Sequence, residues 1–413
     1  MTALAAEIAV VPPAMKLLAK SRIRFRRFLV PAFTFVLGAS IVAPAQRPKL
    51  PRPRILEHEI RISRDPATGE MRPIPADESA SAPSGLAPVI RSRVDLVEAQ
   101  CTVTAPDGTR VRGLTRDDFR LWEDGTEQKV SAFDAATTPA SIALVIDASP
   151  SIYRELRDMR GVAQSLTESL RPEDEVAVVA FAGETEVLLP FSRDRRLLRA
   201  ALTSPRLAQV ANSSQSFIYQ AAYLTAVRLF SGRAGRKAIV LLTDGQDSAL
   251  GLTWDPQSMS PAAGADKSLT FQDVTRAIAA SGIELYVIST EPRPRAMTGE
   301  WLSAQREQPF VTPAARRSGI PLYTLYLAEL TRQVGGELYF LRELGSLAEI
   351  YHGIALKLEA EYTLGYYPAA GVAKPGWRKL KVELRPDERS NARVPANSQI
   401  THRTAYYVPA SSR

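Results

Sequence analysis

The spacing of apolar positions changes three times along the chain. From Val94 it has period two. VDLVEAQCTVTA reads as a strand, Asp107-Gly108 as a tight turn, and Phe119–Glu123 as a second strand. Asp124-Gly125 is a hairpin turn, and a third strand follows near Gln128–Phe133. Between 140 and 361 short apolar runs alternate with helical stripes. The runs are Ile142–Asp147, Val176–Gly183, Thr185–Phe191, Lys237–Gly245, Ile283–Ser289 and Gly336–Leu341. Helices are predicted over Ile152–Leu170, Asp194–Leu202, Ser216–Phe230, Leu269–Ser281, Pro321–Val334 and Leu344–Glu361. The first carries Leu156, Met159, Ala163, Leu166 and Leu170 at steps of three and four, one buried stripe. From Tyr362 period two returns in three stretches, YTLGYYPA, WRKLKVELRP and THRTAYYVP.

This pattern predicts an α/β fold with a doubly wound, mostly parallel sheet and helices on both faces. The turn between Val176–Gly183 and Thr185–Phe191 is too short for a crossover, so those two strands are antiparallel. The flanks, 91–139 and 362–410, are each too small for a core of their own. They are expected to pair into one β-sandwich, with the α/β domain, 140–361, inserted between them. The loop Glu291–Gly319 holds four prolines and is either a functional lid or a mobile insertion.

The N-terminal segments differ from the rest. Residues 1–45 carry six basic residues (Lys16, Lys20, Arg22, Arg24, Arg26, Arg27) against one acid, Glu7, so most of the net charge of +8 lies there. The basic cluster precedes the apolar stretch Phe28–Ala45, and Ala43-Pro44-Ala45 fits a small-x-small cleavage pattern before Gln46. This reads as a secretory signal peptide, with Met1 or Met15 as its start; an uncleaved anchor is the alternative. Either places the folded part in the periplasm or cell envelope, or outside a bacterial cell, with membrane contact only if the segment is uncleaved. Residues 46–90, rich in proline and arginine, read as an extended or disordered linker, with Arg54–Ser63 as a stray strand. No basic stripe interleaved with aromatics appears beyond the leader, which argues against a nucleic-acid partner. The one cysteine, Cys101, excludes an intrachain disulfide and reads as a small buried hydrophobe.

The candidate chemistry sits in Ile142–Ser151, IALVIDASPS. A buried strand ends in Asp147, and Ser149 and Ser151 follow at even spacing. One carboxylate and two hydroxyls suit a hard cation. A helix N-cap is the other use for the same residues. Lys237–Asp244 ends in a second acid. If the strand order is 3-2-1-4-5-6, Asp147 and Asp244 are neighbours beyond the carboxyl ends of the strands, where such sheets bind ligands. Two carboxylates that close repel unless a cation lies between them.

Strand IALVID, turn Asp147-Ala148-Ser149-Pro150-Ser151 and LLTDG with Asp244 together resemble a von Willebrand factor type A domain and its metal-ion-dependent adhesion site. With the flanks GLTRDDFRLWEDGTEQKVSAF and YTLGYYP…WRKLKVEL…THRTAYYVP, residues 91–410 are similar to secreted bacterial von Willebrand factor A-related proteins of the acidobacterial type. The resemblance implies a metal held by Asp147, Ser149, Ser151, Ser216 and Asp244. Ser216, in Gln215–Tyr219, stands where the family has threonine, and Pro150 where it has glycine. Oxygen ligands suit Mg²⁺, with Mn²⁺ or Ca²⁺ possible. A carboxylate from a protein partner then completes the shell. The second reading is a structural or assembly component of the envelope in which the metal only stabilises the fold.

Catalytic patterns are missing from the sequence. His58, His352 and His402 lie far from the serines in the sequence pattern, and no Gly-x-Ser-x-Gly elbow occurs. GRAGRKA precedes a strand and lacks phosphate-loop spacing. A phosphatase of similar topology needs an acid at position 149. The expectation is therefore a non-enzymatic protein. Glu123 and Asp124 read as a solvated turn, and Asp247 as a support for the metal-holding residues or a solvated loop acid. Tyr366, Tyr367 and Trp377 read as sandwich core.

Overall fold

The computed structural model describes residues 50–56, 60–64, 71–75, 96–107, 109–135, 139–155, 168–210, 215–248, 254–255, 260–261, 269–304, 309–341, 347–358, 362–368, 375–385 and 394–408. The expected leader, 1–45, its cleavage site and most of the helix predicted after Ile152 lie outside them. Among the described residues no helix is long and apolar enough to cross a membrane.

The first described strands are β1 (Arg54–Ile55), β2 (Ile60–Arg64) and β3 (Met71–Pro75), followed by β4 (Val97–Thr104), β5 (Phe119–Glu123), β6 (Thr126–Gln128) and β7 (Val130–Asp134). The α/β part contributes β8 (Ala140–Asp147), β9 (Glu175–Phe181), β10 (Thr185–Ser192), β11 (Arg236–Thr243), a two-stranded ribbon of β12 (Trp254–Asp255) and β13 (Ser260–Pro261), β14 (Ile283–Ser289) and β15 (Gly336–Phe340). The last strands are β16 (Tyr362–Tyr366), β17 (Gly376–Leu384), β18 (Gln399–His402) and β19 (Ala405–Val408).

The central sheet has seven strands in the order β1-β10-β9-β8-β11-β14-β15. Apart from β1, this is the order 3-2-1-4-5-6. The pairs β9–β8, β8–β11, β11–β14 and β14–β15 are parallel, and β10–β9 is antiparallel. Alternate residues of β8 enter separate cores. Ala143 and Val145 face one; Ile142, Leu144 and Ile146 face the other. Burial on both faces is why β8 reads as an unbroken apolar run.

The first core is closed by α4 (Ile218–Leu224), α5 (Phe271–Ala280) and α8 (Leu322–Val334). The second is closed by α1 (Pro150–Glu155), α2 (Arg195–Leu202), α3 (Pro205–Val210) and α9 (Leu347–Leu358). α4 runs into a π-helical turn over Thr225–Leu229, which completes the stretch predicted as one helix. The loop after β14 holds α6 (Gly299–Ala304) and α7 (Pro313–Arg317). Its Met297, Phe310 and Val311 are buried in the first core, and the Phe310 N–H donates to buried Glu329 at 2.7 Å. The described parts of that loop are thus fastened to the domain body.

The flanks form two four-stranded antiparallel sheets, β18-β4-β16-β7 and β19-β17-β5-β6. Each mixes strands from before and after the α/β domain, and both contribute to one core built from Cys101, Val103, Leu121, Tyr362, Leu364 and Val382 among others. Cys101 is buried there, and burial pushes its thiol pKa up to about 12.

Several expectations are corrected. The third predicted strand is two, because β6 returns along β5 while β7 crosses to the other sheet. THRTAYYVP likewise divides: β18 pairs with β4 and β19 with β17. A chain that changes sheets at a sandwich corner must break its pairing there. Glu123 is no solvated acid. It is 9 % exposed and accepts hydrogen bonds from the Tyr366 and Tyr406 hydroxyls. Asp124 remains at the surface, beside Arg378. Tyr366 is core, but Tyr367 and Trp377 are 50 % and 39 % exposed; Trp377 packs edge-on against Tyr407.

The largest correction concerns the linker. β1 pairs antiparallel with the edge strand β10, Arg54 opposite Val187. Leu56 is fully buried in the first core. β2 and β3 form a hairpin, held by an Arg64–Asp273 ion pair at 2.9 Å and by the Tyr223 hydroxyl donating to the Met71 carbonyl at 3.3 Å. The stretch read as one stray strand, Arg54–Ser63, holds β1 and most of β2; their attachment to the domain was not expected because the partners lie far away in sequence, and an open sheet edge supplies the backbone groups to pair with.

Two outcomes follow. Leu56→Ala lowers unfolding stability by about 2–4 kcal/mol in urea titrations, whereas a segment lying loosely on the surface gives a change near zero. His402 supplies the second. Its Nε2 accepts from the Val382 N–H at 3.2 Å, which leaves the proton on Nδ1 to donate to the Arg403 carbonyl at 2.8 Å. Burial lowers its pKa, opposed by the Arg403 contact. A base depressed in the folded state stabilises the fold above its unfolded pKa of about 6.5 and loses that contribution as pH falls through the depressed value. Melting temperature therefore drops on acidification through that window, and His402→Gln lessens the drop.

Candidate metal centre

β8 ends at Asp147, whose side chain is fully buried. The register of β8 on β11 sets Ile146 beside Leu242, so Thr243 stands beside Asp147 and Asp244 one residue beyond. Asp147 therefore ends β8 while Asp244 follows the last residue of the neighbouring β11, a one-residue stagger. Both Asp147 and Thr243 continue the rows Ala143, Val145 and Ile239, Leu241, which face the first core.

The Asp147 carboxylate is hydrogen-bonded at both oxygens. Oδ1 accepts from the Ser149 N–H at 3.0 Å. Oδ2 accepts from the Thr243 hydroxyl at 2.8 Å and from the Ser216 hydroxyl at 3.1 Å. Ser151 Oγ donates to Asp244 Oδ2 at 2.8 Å and lies 3.2 Å from Ser149 Oγ. All five residues named from the sequence are thus joined in one hydrogen-bonded chain, from Ser216 through Asp147, Ser149 and Ser151 to Asp244. Ser151 is exposed while the other four are buried, so the group opens to solvent on the Ser151 side. The helix-capping alternative fits less well: the Ile152 N–H takes the Ser149 carbonyl at 3.1 Å, while the serine hydroxyls face each other and Asp244. Pro150 begins α1, where a missing N–H is no loss.

The surrounding backbone holds these side chains. Ser216 and Ser248 are tied by two bonds, Ser216 N–H to Ser248 Oγ at 2.9 Å and Ser248 N–H to the Ser216 carbonyl at 2.7 Å. Asp247 accepts the Tyr219 N–H at 3.2 Å, so it supports the start of α4. The Gln246 N–H donates to Asp244 Oδ1 at 2.9 Å. Burial, chiefly, raises the Asp147 pKa, with the charge of Asp244 adding to it against the Ser149 and Thr243 hydrogen bonds. A buried carboxylate beside a second one is a position that a cation stabilises.

Two carboxylates and three hydroxyls make an all-oxygen donor set, the kind that fits a hard divalent cation. Among the described residues no cluster of three or more His, Cys, Asp and Glu forms a rival centre. His402 lies in the sandwich and His352 is exposed on α9; His58 lies outside the described residues. Sequence reasoning missed Thr243 and Gly245. Gly245 has φ +90°, and a Cβ there would lie 2.9 Å from both Leu327 Cδ1 and Tyr323 Cδ2 of α8. The pattern Thr-Asp-Gly contained both residues, but only the register shows what they touch.

Residues 141–303 match the family model of the von Willebrand factor type A domain, and the α/β part has that fold. Among solved structures, an aerotolerance-related membrane protein from Bacteroides fragilis is 17 % identical, with 54 % of this chain and 98 % of that one covered and a TM-score of 0.34. BatB from Bacteroides thetaiotaomicron is 18 % identical over 53 % and 98 %, with a TM-score of 0.36. Proximal thread matrix protein 1 from the mussel byssus, with a zinc-occupied MIDAS motif, is 16 % identical over 57 % and 49 %, with a TM-score of 0.35. No curated protein matches the chain.

Gly245→Ala is expected to lower stability by about 2 kcal/mol, because the new methyl meets two side chains at a positive φ. Urea unfolding measures it; a change below about 0.5 kcal/mol would mean that α8 yields freely.

Proposed function

We propose that this von Willebrand factor type A domain is a non-enzymatic protein-binding module. It recognises an acidic group on a protein partner through a divalent cation held by Asp147, Ser149, Ser151, Ser216 and Asp244. The observation that carries the reading is the convergence of five oxygen-bearing side chains from three separate segments, open to solvent at Ser151. Mg²⁺ is the ion proposed, with Mn²⁺ or Ca²⁺ as the other hard cations such donors accept. When bound, the ion supplies a positive, Lewis-acidic position that a partner carboxylate can occupy. Asp147 and Asp244 bring two negative charges, and the hydroxyls none. A further carboxylate therefore finds an ion whose charge is not fully balanced. The setting proposed is the cell envelope or the outside of a bacterial cell, on the strength of the basic and apolar residues 16–45.

A second reading has one observation in its favour. Asp147 is fully buried and already has three hydrogen-bond donors, as a purely structural carboxylate would. Ser151, at the rim, separates the two readings.

Millimolar Mg²⁺ is expected to raise the melting temperature, and chelator to reverse the rise. At one hundred times the dissociation constant the stabilisation is about 2.7 kcal/mol. No shift with Mg²⁺, Mn²⁺ or Ca²⁺ argues against the site altogether. Ser151→Ala is expected to abolish Mg²⁺-dependent capture of envelope proteins while the melting temperature in chelator stays unchanged. Undiminished capture by the variant would favour the structural reading.

A further inference from the structure

The five candidate ligands leave one fully buried polar side chain of the same cluster without a role. Thr243 is the last residue of β11 and stands beside Asp147 in the strand register. Its hydroxyl oxygen accepts the Gly245 N–H at 3.0 Å. An amide can only donate, so this contact takes one lone pair, and an ionised carboxylate can only accept, so the hydroxyl proton goes to Asp147 Oδ2, 2.8 Å away. The direction of the bond is therefore set. A donor that is itself accepting is also polarised toward its acceptor.

The Gly245 end is equally constrained. The turn that aims this N–H back at Thr243 has φ +90°, and Tyr323 and Leu327 of α8 close the space where a Cβ would stand. Asp244 lies between Thr243 and Gly245. The bond from Gly245 to Thr243 thus closes a small ring around the residue that carries the second carboxylate. The bond from Thr243 to Asp147 then joins that ring to the first.

We propose that Thr243 is a positioning residue of the metal centre. Its hydroxyl orients the Asp147 carboxylate and locks it to the Asp244–Gly245 turn, so that the two acids hold a cation as one rigid unit. Thr243 touches neither the ion nor the partner in this arrangement. Groups that orient ligands in this way commonly change metal affinity by about ten- to a hundred-fold when removed. This inference rests on the metal reading given above and adds to it a residue that the five-ligand pattern does not include.

The test compares Thr243→Val, which keeps shape and loses the hydroxyl, with Thr243→Ser, which keeps the hydroxyl. Full-length proteins are titrated with Mg²⁺ by calorimetry and with Mn²⁺ by electron paramagnetic resonance, after circular dichroism has shown each to be folded. The valine variant is expected to bind about ten-fold or more weakly and to give a broadened, altered Mn²⁺ signal. The serine variant is expected to stay within about two-fold of wild type, a rescue that packing alone does not predict. If the valine variant fails to fold, Thr243→Ala takes its place with the same expected loss. Wild-type-like affinity and Mn²⁺ signal in the folded valine or alanine variant would overturn the inference and leave the metal reading standing. A wild-type protein that binds neither ion overturns both.

Discussion

A carboxylate taken out of water must be hydrogen-bonded or neutralised, and Asp147 is taken fully out of water. Its three donors come from three places: the turn after β8, the end of β11 and Ser216 in the loop before α4. The pairing of β8 with β11, the path of the chain into α4 and the start of α1 therefore have to be right together. A one-residue slip between β8 and β11 would set a leucine against the carboxylate and turn Thr243 to the other core. The same arrangement that satisfies the buried acid also gathers the hydroxyls and Asp244 around it.

A second buried acid serves the sandwich in a similar way. Glu123, from before the inserted domain, accepts from Tyr366 and Tyr406, which come after it. Burial and these contacts raise the pKa of both phenols, so they remain neutral donors. β7 and β16 lie side by side with Asp134 opposite Thr363. The chain thus leaves and re-enters the sandwich at adjacent points, which is what lets a whole α/β domain be inserted without opening the core. The two parts also meet directly: Tyr407 of β19 joins the first α/β core, with the Arg276 guanidinium over its ring.

Much of the site was legible because its parts are local. Asp147, Ser149 and Ser151 lie within five residues, and Asp244 follows an apolar run that can only be a buried strand. Ser216 was placed by resemblance, and the structure brings its hydroxyl to Asp147. Thr243 was not legible, because a threonine ending a strand is unremarkable until the residue on the next strand is known. Glu123 was misread for the same reason: a turn beside Asp-Gly looks solvated unless the two tyrosines from the far end of the chain are in view. The strap formed by β1–β3 was misread because composition reports what a segment buries within itself, whereas Leu56 and Arg64 are held by residues of the central domain.

The sequence by itself determined the α/β class, the order of strands and helices, and the stretch that carries the chemistry. Those depend on period and on short-range spacing, which a single strand or helix imposes on its own residues. Only the tertiary structure decided the register between β8 and β11, the sheet to which each flanking strand belongs, and which acids are buried. Those depend on pairings across tens to hundreds of residues. A backbone hydrogen bond is indifferent to sequence, so the choice among such pairings falls to the packing of all the elements at once.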